Sequence, residues 1–205
     1  MSEEVELLVT VPRSLLERVG VFQGVKAHSP IFLPFLENVN QVIIPRNLAE
    51  EDETLKQLVV YFTVQQDGKY LSYYRSPKGG DTRLHGQYSF GFGGHVNVED
   101  TSPLGAVVRE LKEEIDGEVK SVTFKGWING DTTPIERVHL GMYFEVVLFS
   151  RKGTDDANIE KVELVTLHTL GERYDEMETW SQYVYDFLNY ARIRFKWEEG
   201  EIRRI

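Results

Sequence analysis

The sequence predicts an α+β protein in which a mixed β-sheet carries helices on its faces. Three observations carry this expectation. Two β-rich runs, LKQLVVYFTV (55–64) and KYLSYYRS (69–76), flank the turn QQDG. An amphipathic helical pattern begins at Ser102. Two more apolar runs, VKSVTFKGWI (119–128) and VHLGMYFEVVLF (138–149), then precede a long helical pattern near the C-terminus.

Residues 1–50 read as an N-terminal extension packed on a main domain of residues 51–205. Within the extension, VPRSLLERVG suggests a short helix, with Pro12 near its start and Gly20 at its stop. NQVIIPR suggests a short strand. From Leu55 the signals sharpen, and Asp67-Gly68 is a hairpin turn signal between two strands. The glycine-rich stretch HGQYSFGFGGH leads into the first long helix. Ser102 suits its N-cap, Pro103 its first position and Gly117 the residue just past its end. Leu104, Val107, Val108, Leu111 and Ile115 recur at helical spacing and predict one buried stripe. KVELVTL is a shorter strand. ERYDEMETWSQYVYDFLNYA predicts one closing helix, with Met177, Trp180, Val184, Phe187 and Leu188 on its apolar face. The ending, RIRFKWEEGEIRRI, gives no clear element.

Composition removes several chemistries. The 205 residues contain no cysteine, so disulfides, thiolate metal sites and cysteine nucleophiles are excluded. The formal net charge of -10 argues against a nucleic-acid polymer as partner, since little would drive counterion release from phosphates. No apolar run reaches the roughly 18 residues of a membrane span. The acidic start lacks the order of a signal peptide, and a cytoplasmic protein without a membrane partner is expected. The aromatic content and the extension suggest a homodimer.

Glu110, Glu113 and Glu114 lie within five residues and fall on a helix face distinct from the expected stripe. Each like-charge pair one turn apart costs roughly 0.2–0.5 kcal/mol on a lone helix. The three alone fit either a solvated acidic face or a divalent-metal site. Their flanks are more specific. Gly91-Phe92-Gly93-Gly94 precede them, and Arg109-Glu110-Leu111-Lys112-Glu113-Glu114 form an unbroken block.

This stretch resembles the signature of the Nudix hydrolases. That signature runs Gly, five residues, Glu, seven residues, then Arg-Glu-aliphatic-any-Glu-Glu-any-Gly-aliphatic. Here Gly94 leads through five residues to Asp100, and eight more lead to Arg109. Asp100 stands for the first glutamate, which weakens its expected role as a metal ligand or as the partner of Arg109. One extra residue precedes Arg109 and another precedes Gly117. GFGGHVN and ETWSQYV also resemble a bacterial subgroup of predicted phosphoesterases.

The resemblance implies an α/β/α sandwich and a pyrophosphohydrolase that splits a diphosphate in a nucleoside-diphosphate-linked or related small molecule, using Mg²⁺ or Mn²⁺. It implies Glu113 and Glu114 as main metal ligands, Glu110 as ligand or base, the Gly94 carbonyl as a further ligand, and Arg109 as the group orienting the glutamates. For a base outside the motif, Glu145 is the candidate, because a carboxylate in the apolar strand MYFEVVLF needs a partner. Glu136 is the second choice, and His139 is left unassigned. Arg75, Lys78 and Arg83 form a local positive patch against the lone Asp81 and are candidates to receive substrate phosphates. The alternative is a catalytically silent module that binds a nucleotide or a protein. The lack of cysteine argues against an isopentenyl-diphosphate isomerase, and the lack of a basic surface against RNA decapping.

Overall fold

The computed structural model describes residues 5–75, 85–153, 159–192, 195–198 and 201–204. The chain begins with β1 (Leu7–Pro12), α1 (Arg13–Val19), β2 (Gly24–Ala27), β3 (Val42–Pro45) and the single turn α2 (Arg46–Ala49). The central part holds β4 (Leu55–Gln66), β5 (Lys69–Arg75), β6 (Tyr88–Ser89), β7 (Gly91–His95) and α3 (Pro103–Glu114). Then follow β8 (Asp116–Asn129), α4 (Pro134–Val138), β9 (His139–Gly153), β10 (Ile159–Val165), α5 (Leu167–Glu172) and α6 (Thr179–Arg192). The basic and aromatic ending forms a separate antiparallel pair, β11 (Phe195–Glu198) with β12 (Glu201–Arg204).

The main sheet runs β10-β5-β4-β9-β8-β2, with β1 and β7 also pairing β4. It is mixed, as expected: β4 and β9 run parallel, and the other pairs are antiparallel. The long β4 acts as a ruler. One of its edges meets β1 at Leu55–Gln57, β7 at Val59–Thr63 and β5 at Gln65–Gln66. Its other edge takes β9 from Gln57 to Gln65. The N-terminal part, from residue 5 on, enters this same sheet through β1 on β4 and β2 on β8. It also buries Phe32 and Phe35 against Trp127.

Two apolar layers sandwich the sheet. One packs Val107 and Leu111 of α3, with Phe32 and Phe35, onto Leu58, Phe62, Leu140 and Phe144. The other packs Val184 and Leu188 of α6 onto Tyr61, Ile128 and Tyr143. Among the described residues, no helix is long and apolar enough to cross a membrane.

Three local expectations are corrected. First, α3 is rotated relative to the expected stripe. Leu104 is 50% exposed and Val108 is exposed, whereas Ala106, Val107, Glu110 and Leu111 are buried. An inward-facing glutamate had masked the true apolar face. Second, α3 stops at Glu114, and Ile115 is already extended at φ -139. Gly117 belongs to β8 opposite Arg151. Its need is a close approach, since a Cβ there would sit 2.9 Å from the Ser150 carbonyl oxygen. Third, the closing helix is interrupted. A 3-10 turn at Tyr174–Glu176 and the extended Met177 separate α5 from α6. The Glu178 N–H donates to the Tyr88 carbonyl at 3.0 Å, which anchors the break to β6. The break aims Glu178 into the site described next.

Candidate active site

The glycines of β7 let α3 approach the sheet. Gly93 has φ +136, and a Cβ there would lie 1.9 Å from the Val60 carbonyl oxygen. A Cβ on Gly94 would fall 2.4 Å from Glu110 Oε1, so the bare backbone of Gly94 is the seat of the Glu110 carboxylate. Gly94→Ala is therefore expected to displace Glu110 while leaving the fold intact, because the obstructing group is a side-chain tip. Activity should fall at least about tenfold, with the melting temperature changed by only a few degrees.

Arg109 is the hub. Its Nε and Nη2 donate to the two oxygens of Asp100 at 3.0 and 2.9 Å, a bidentate pair. Nη2 also donates to the His95 carbonyl at 2.9 Å, and Nη1 donates to Glu110 Oε1 at 2.6 Å. Glu113 Oε1 lies 3.8 Å from Nη1. Asp100 is thus the partner of Arg109 despite its short side chain. The Asn97–Asp100 turn, closed by Asp100 N–H to the Asn97 carbonyl and Asn97 N–H to Asp100 Oδ2, delivers the carboxylate directly.

Burial pushes the Asp100 carboxyl up. The Arg109 hydrogen bonds, the Asn97 N–H and the guanidinium charge outweigh it, and its pKa ends below the ordinary value of 3.8. A depressed carboxyl stabilises the fold fully above its unfolded pKa and loses that contribution as pH falls through the folded pKa. Acid unfolding below about pH 4 should therefore be shallower in Asp100→Asn than in the natural chain, followed by circular dichroism. Equal slopes would contradict this. Glu110 moves the other way: burial raises its pKa, and Arg109 only partly offsets the rise. The side chain of Glu113 is 59% exposed. Glu114 is half-buried and acts electrostatically on Tyr73 and Arg75.

Arg75, Gly94, Arg109, Glu110 and Glu113 line a cavity of about 610 Å³, whereas Asp100 and Glu114 are not among its lining residues. Also at the cavity, Arg75 Nη2 lies 3.5 Å from Glu178 Oε2, and the guanidinium sits over the Tyr73 ring at 5.4 Å. Glu178 Oε1 accepts from Tyr61 at 3.1 Å, Ser89 at 2.7 Å and Ser181 at 3.2 Å, so this buried carboxylate is fixed from three sides. Glu136 also borders the cavity, but its oxygens accept from Tyr183, Thr132 and Thr133, and it caps α4. Lys56, fully buried, braces the same loop through the Gly130 and Glu136 carbonyls and Asp131.

Sequence reasoning missed Glu178 and two further contributions. The N-terminal segment supplies Glu6, Arg46 and Glu50 to the cavity wall. His95 and His139 face each other there, with Nε2 atoms 3.1 Å apart. Burial, followed by the charges of His139, Arg46 and Arg109, lowers His95 to a pKa of about 3. The signal available beforehand was weak: one histidine ends the glycine strand and the other opens a strand 44 residues later.

The structure does not bring Glu145 to this site. It lies about 20 Å along β9 from His139, where it accepts from Gln65 at 2.8 Å and pairs with Lys125 at 3.4 Å. The partner that a half-buried carboxylate requires is thus supplied within the sheet. Lys78 and Arg83 lie outside the described residues.

A sheet held between helices, with Arg109 holding Asp100 and Glu110 beside the cavity, is an arrangement whose family the comparisons with known proteins identify. The NUDIX domain model matches residues 55–188, and the chain belongs to the Nudix family. The crystal structure of Tm1382, regarded as a Nudix hydrolase, superposes with a TM-score of 0.77 at 30% identity, covering 91% of this chain and 100% of that one. Protein YmaB of Bacillus subtilis is 28% identical over 202 residues, 89% of this chain and 97% of YmaB. The NUDIX domain of Shewanella oneidensis NrtR, crystallised with ADP ribose, shares the fold at a TM-score of 0.53 and 12% identity, covering 66% of this chain and 88% of that one.

Proposed function

We propose that this chain hydrolyses a diphosphate linkage in a nucleoside-diphosphate-linked or related small molecule, with Mg²⁺ or Mn²⁺ as cofactor. The observation that carries the reading is the Arg109 hub, which holds Glu110 at the cavity, while Glu113 lines the same cavity nearly one turn further along α3. The donors fit such a cation. They are carboxylate oxygens, which hard divalent ions prefer. Glu110 is buried with its pKa raised, and a nearby positive charge would favour its ionised form.

Glu110, Glu113 and Glu114, with the Gly94 carbonyl, would hold the ion. When bound, it offsets phosphate charge and lowers the pKa of a coordinated water. The chain's own groups do the rest. Arg109 keeps the glutamate row in register. Arg75, oriented by Glu178 and Tyr73, presents a guanidinium that can pair with a substrate phosphate in the bidentate manner. The cavity, about 610 Å³, is in the range that encloses a nucleotide-sized ligand.

A product-release panel with Mg²⁺ and with Mn²⁺ tests the reading. It should include nucleoside triphosphates, nucleotide sugars, dinucleoside polyphosphates and ADP-ribose, the last because the NrtR domain is crystallised with it. The expected result is metal-dependent turnover of at least one class. No turnover of any class with either metal, alongside tight nucleotide binding, would favour the silent module.

A further inference from the structure

The two histidines are unexplained by diphosphate hydrolysis, and a third group meets them. One ligand atom from each of Glu50, His95 and His139 lies within 4.8 Å of the other two. His139 Nδ1 is 2.7 Å from the Ile135 carbonyl oxygen. A carbonyl can only accept, so Nδ1 carries the proton and Nε2 presents its lone pair. That lone pair points at His95 Nε2, 3.1 Å away.

We infer that Glu50, His95 and His139 form a binding site for a first-row transition-metal ion such as Zn²⁺ or Co²⁺, separate from the glutamate row of α3. Two imidazole nitrogens bound to one tetrahedral ion at about 2.0–2.1 Å stand roughly 3.3 Å apart, close to the spacing seen. Metal-bound histidines commonly donate their second nitrogen to a backbone carbonyl, as His139 does to Ile135. Imidazole donors select Zn²⁺, Co²⁺ and similar ions over Mg²⁺, which takes oxygen. Three protein ligands leave a fourth position, and all three residues line the cavity.

The neighbouring cations are already engaged. Arg46 pairs with Glu6 at 2.9 Å and reaches Glu50 at 3.8 Å, while Arg109 is held by Asp100 and Glu110. The site is assembled from three distant pieces of chain. β7 brings His95 opposite Val59 on one edge of β4, and β9 brings His139 opposite Gln57 on the other. Glu50 arrives from the end of α2.

Cobalt titration of the chelator-stripped full chain tests this, followed by visible ligand-field absorption and equilibrium dialysis. With millimolar Mg²⁺ present to occupy the glutamate row, the expected result is one Co²⁺ per chain, with a visible band that Zn²⁺ abolishes. His95→Ala, His139→Ala and Glu50→Gln should each weaken Co²⁺ binding by more than about tenfold, while Glu113→Gln with Glu114→Gln keeps the band. Circular dichroism checks each fold, and should His139→Ala not fold, His95→Gln gives the same readout. Absence of the band, or its survival in the histidine variants, overturns the site. Loss of the band only in the glutamate variant places cobalt on α3, which also overturns the site but leaves the proposed hydrolase function standing.

Discussion

Glu113→Gln combined with Glu114→Gln is expected to reduce kcat/KM for the diphosphate substrate by about 10³-fold or more. Each amide keeps the shape of its side chain but loses the charge and the strong oxygen donor. A metal that stabilises transition-state charge contributes several kcal/mol, and each 1.36 kcal/mol is about tenfold in rate. The fold should tolerate the change. Glu113 is mostly exposed, and its contact with Arg109 at 3.8 Å is a surface pair of small consequence. Thermal unfolding should therefore stay within a few degrees of the natural chain while activity disappears. Retained turnover in a folded double variant would show that these carboxylates do not serve the reaction.

Lys56→Met is expected to give the largest loss of stability, about 3–5 kcal/mol. The Lys56 side chain has no exposed surface, and its ammonium donates to the Glu136 carbonyl at 2.8 Å, to Asp131 at 3.1 Å and to the Gly130 carbonyl at 3.2 Å. Burial lowers its pKa, and Asp131 opposes that shift without cancelling it. Methionine preserves much of the stem's volume but leaves two carbonyls short of a donor, each worth roughly 1–3 kcal/mol. Asp131 would keep Arg13 at 2.8 Å, so the loop should loosen rather than collapse. In a chain of this size the melting temperature should fall by roughly 10 °C. A loss below about 1 kcal/mol in urea unfolding would mean that water takes over the ammonium's role.

The legible parts of the candidate site were those written within one helix. Arg109, Glu110, Glu113 and Glu114 are neighbours by helical geometry, so their spacing carried the family resemblance directly. The strands were legible from period and turn chemistry, as at Asp67-Gly68, where Asp67 adopts φ 51 in the turn between β4 and β5. What could not be read was anything joined only by strand register. His95 and His139 meet because two different strands align on opposite edges of β4, and no local pattern reports that alignment. The same holds for Glu50 and Arg46, which reach the cavity because β1 and β3 pair.

Buried polar groups also misled the periodicity. Glu110 on the inner face of α3 shifted the inferred stripe toward Leu104 and Val108, and Glu178 interrupted a run that otherwise reads as one helix. Both carboxylates border the cavity. Sequence rules failed where a functional or buried polar group replaces an apolar one, which is where such failures are expected.

The proposed hydrolase requires that the acidic side of α3 hold a divalent cation beside the cavity. Anomalous diffraction from crystals grown with Mn²⁺ measures this directly. The predicted result is a manganese peak within bonding reach of oxygens from Glu110, Glu113 and Glu114, with the three side chains drawn together. A map with no peak there and the carboxylates turned apart into solvent would contradict it.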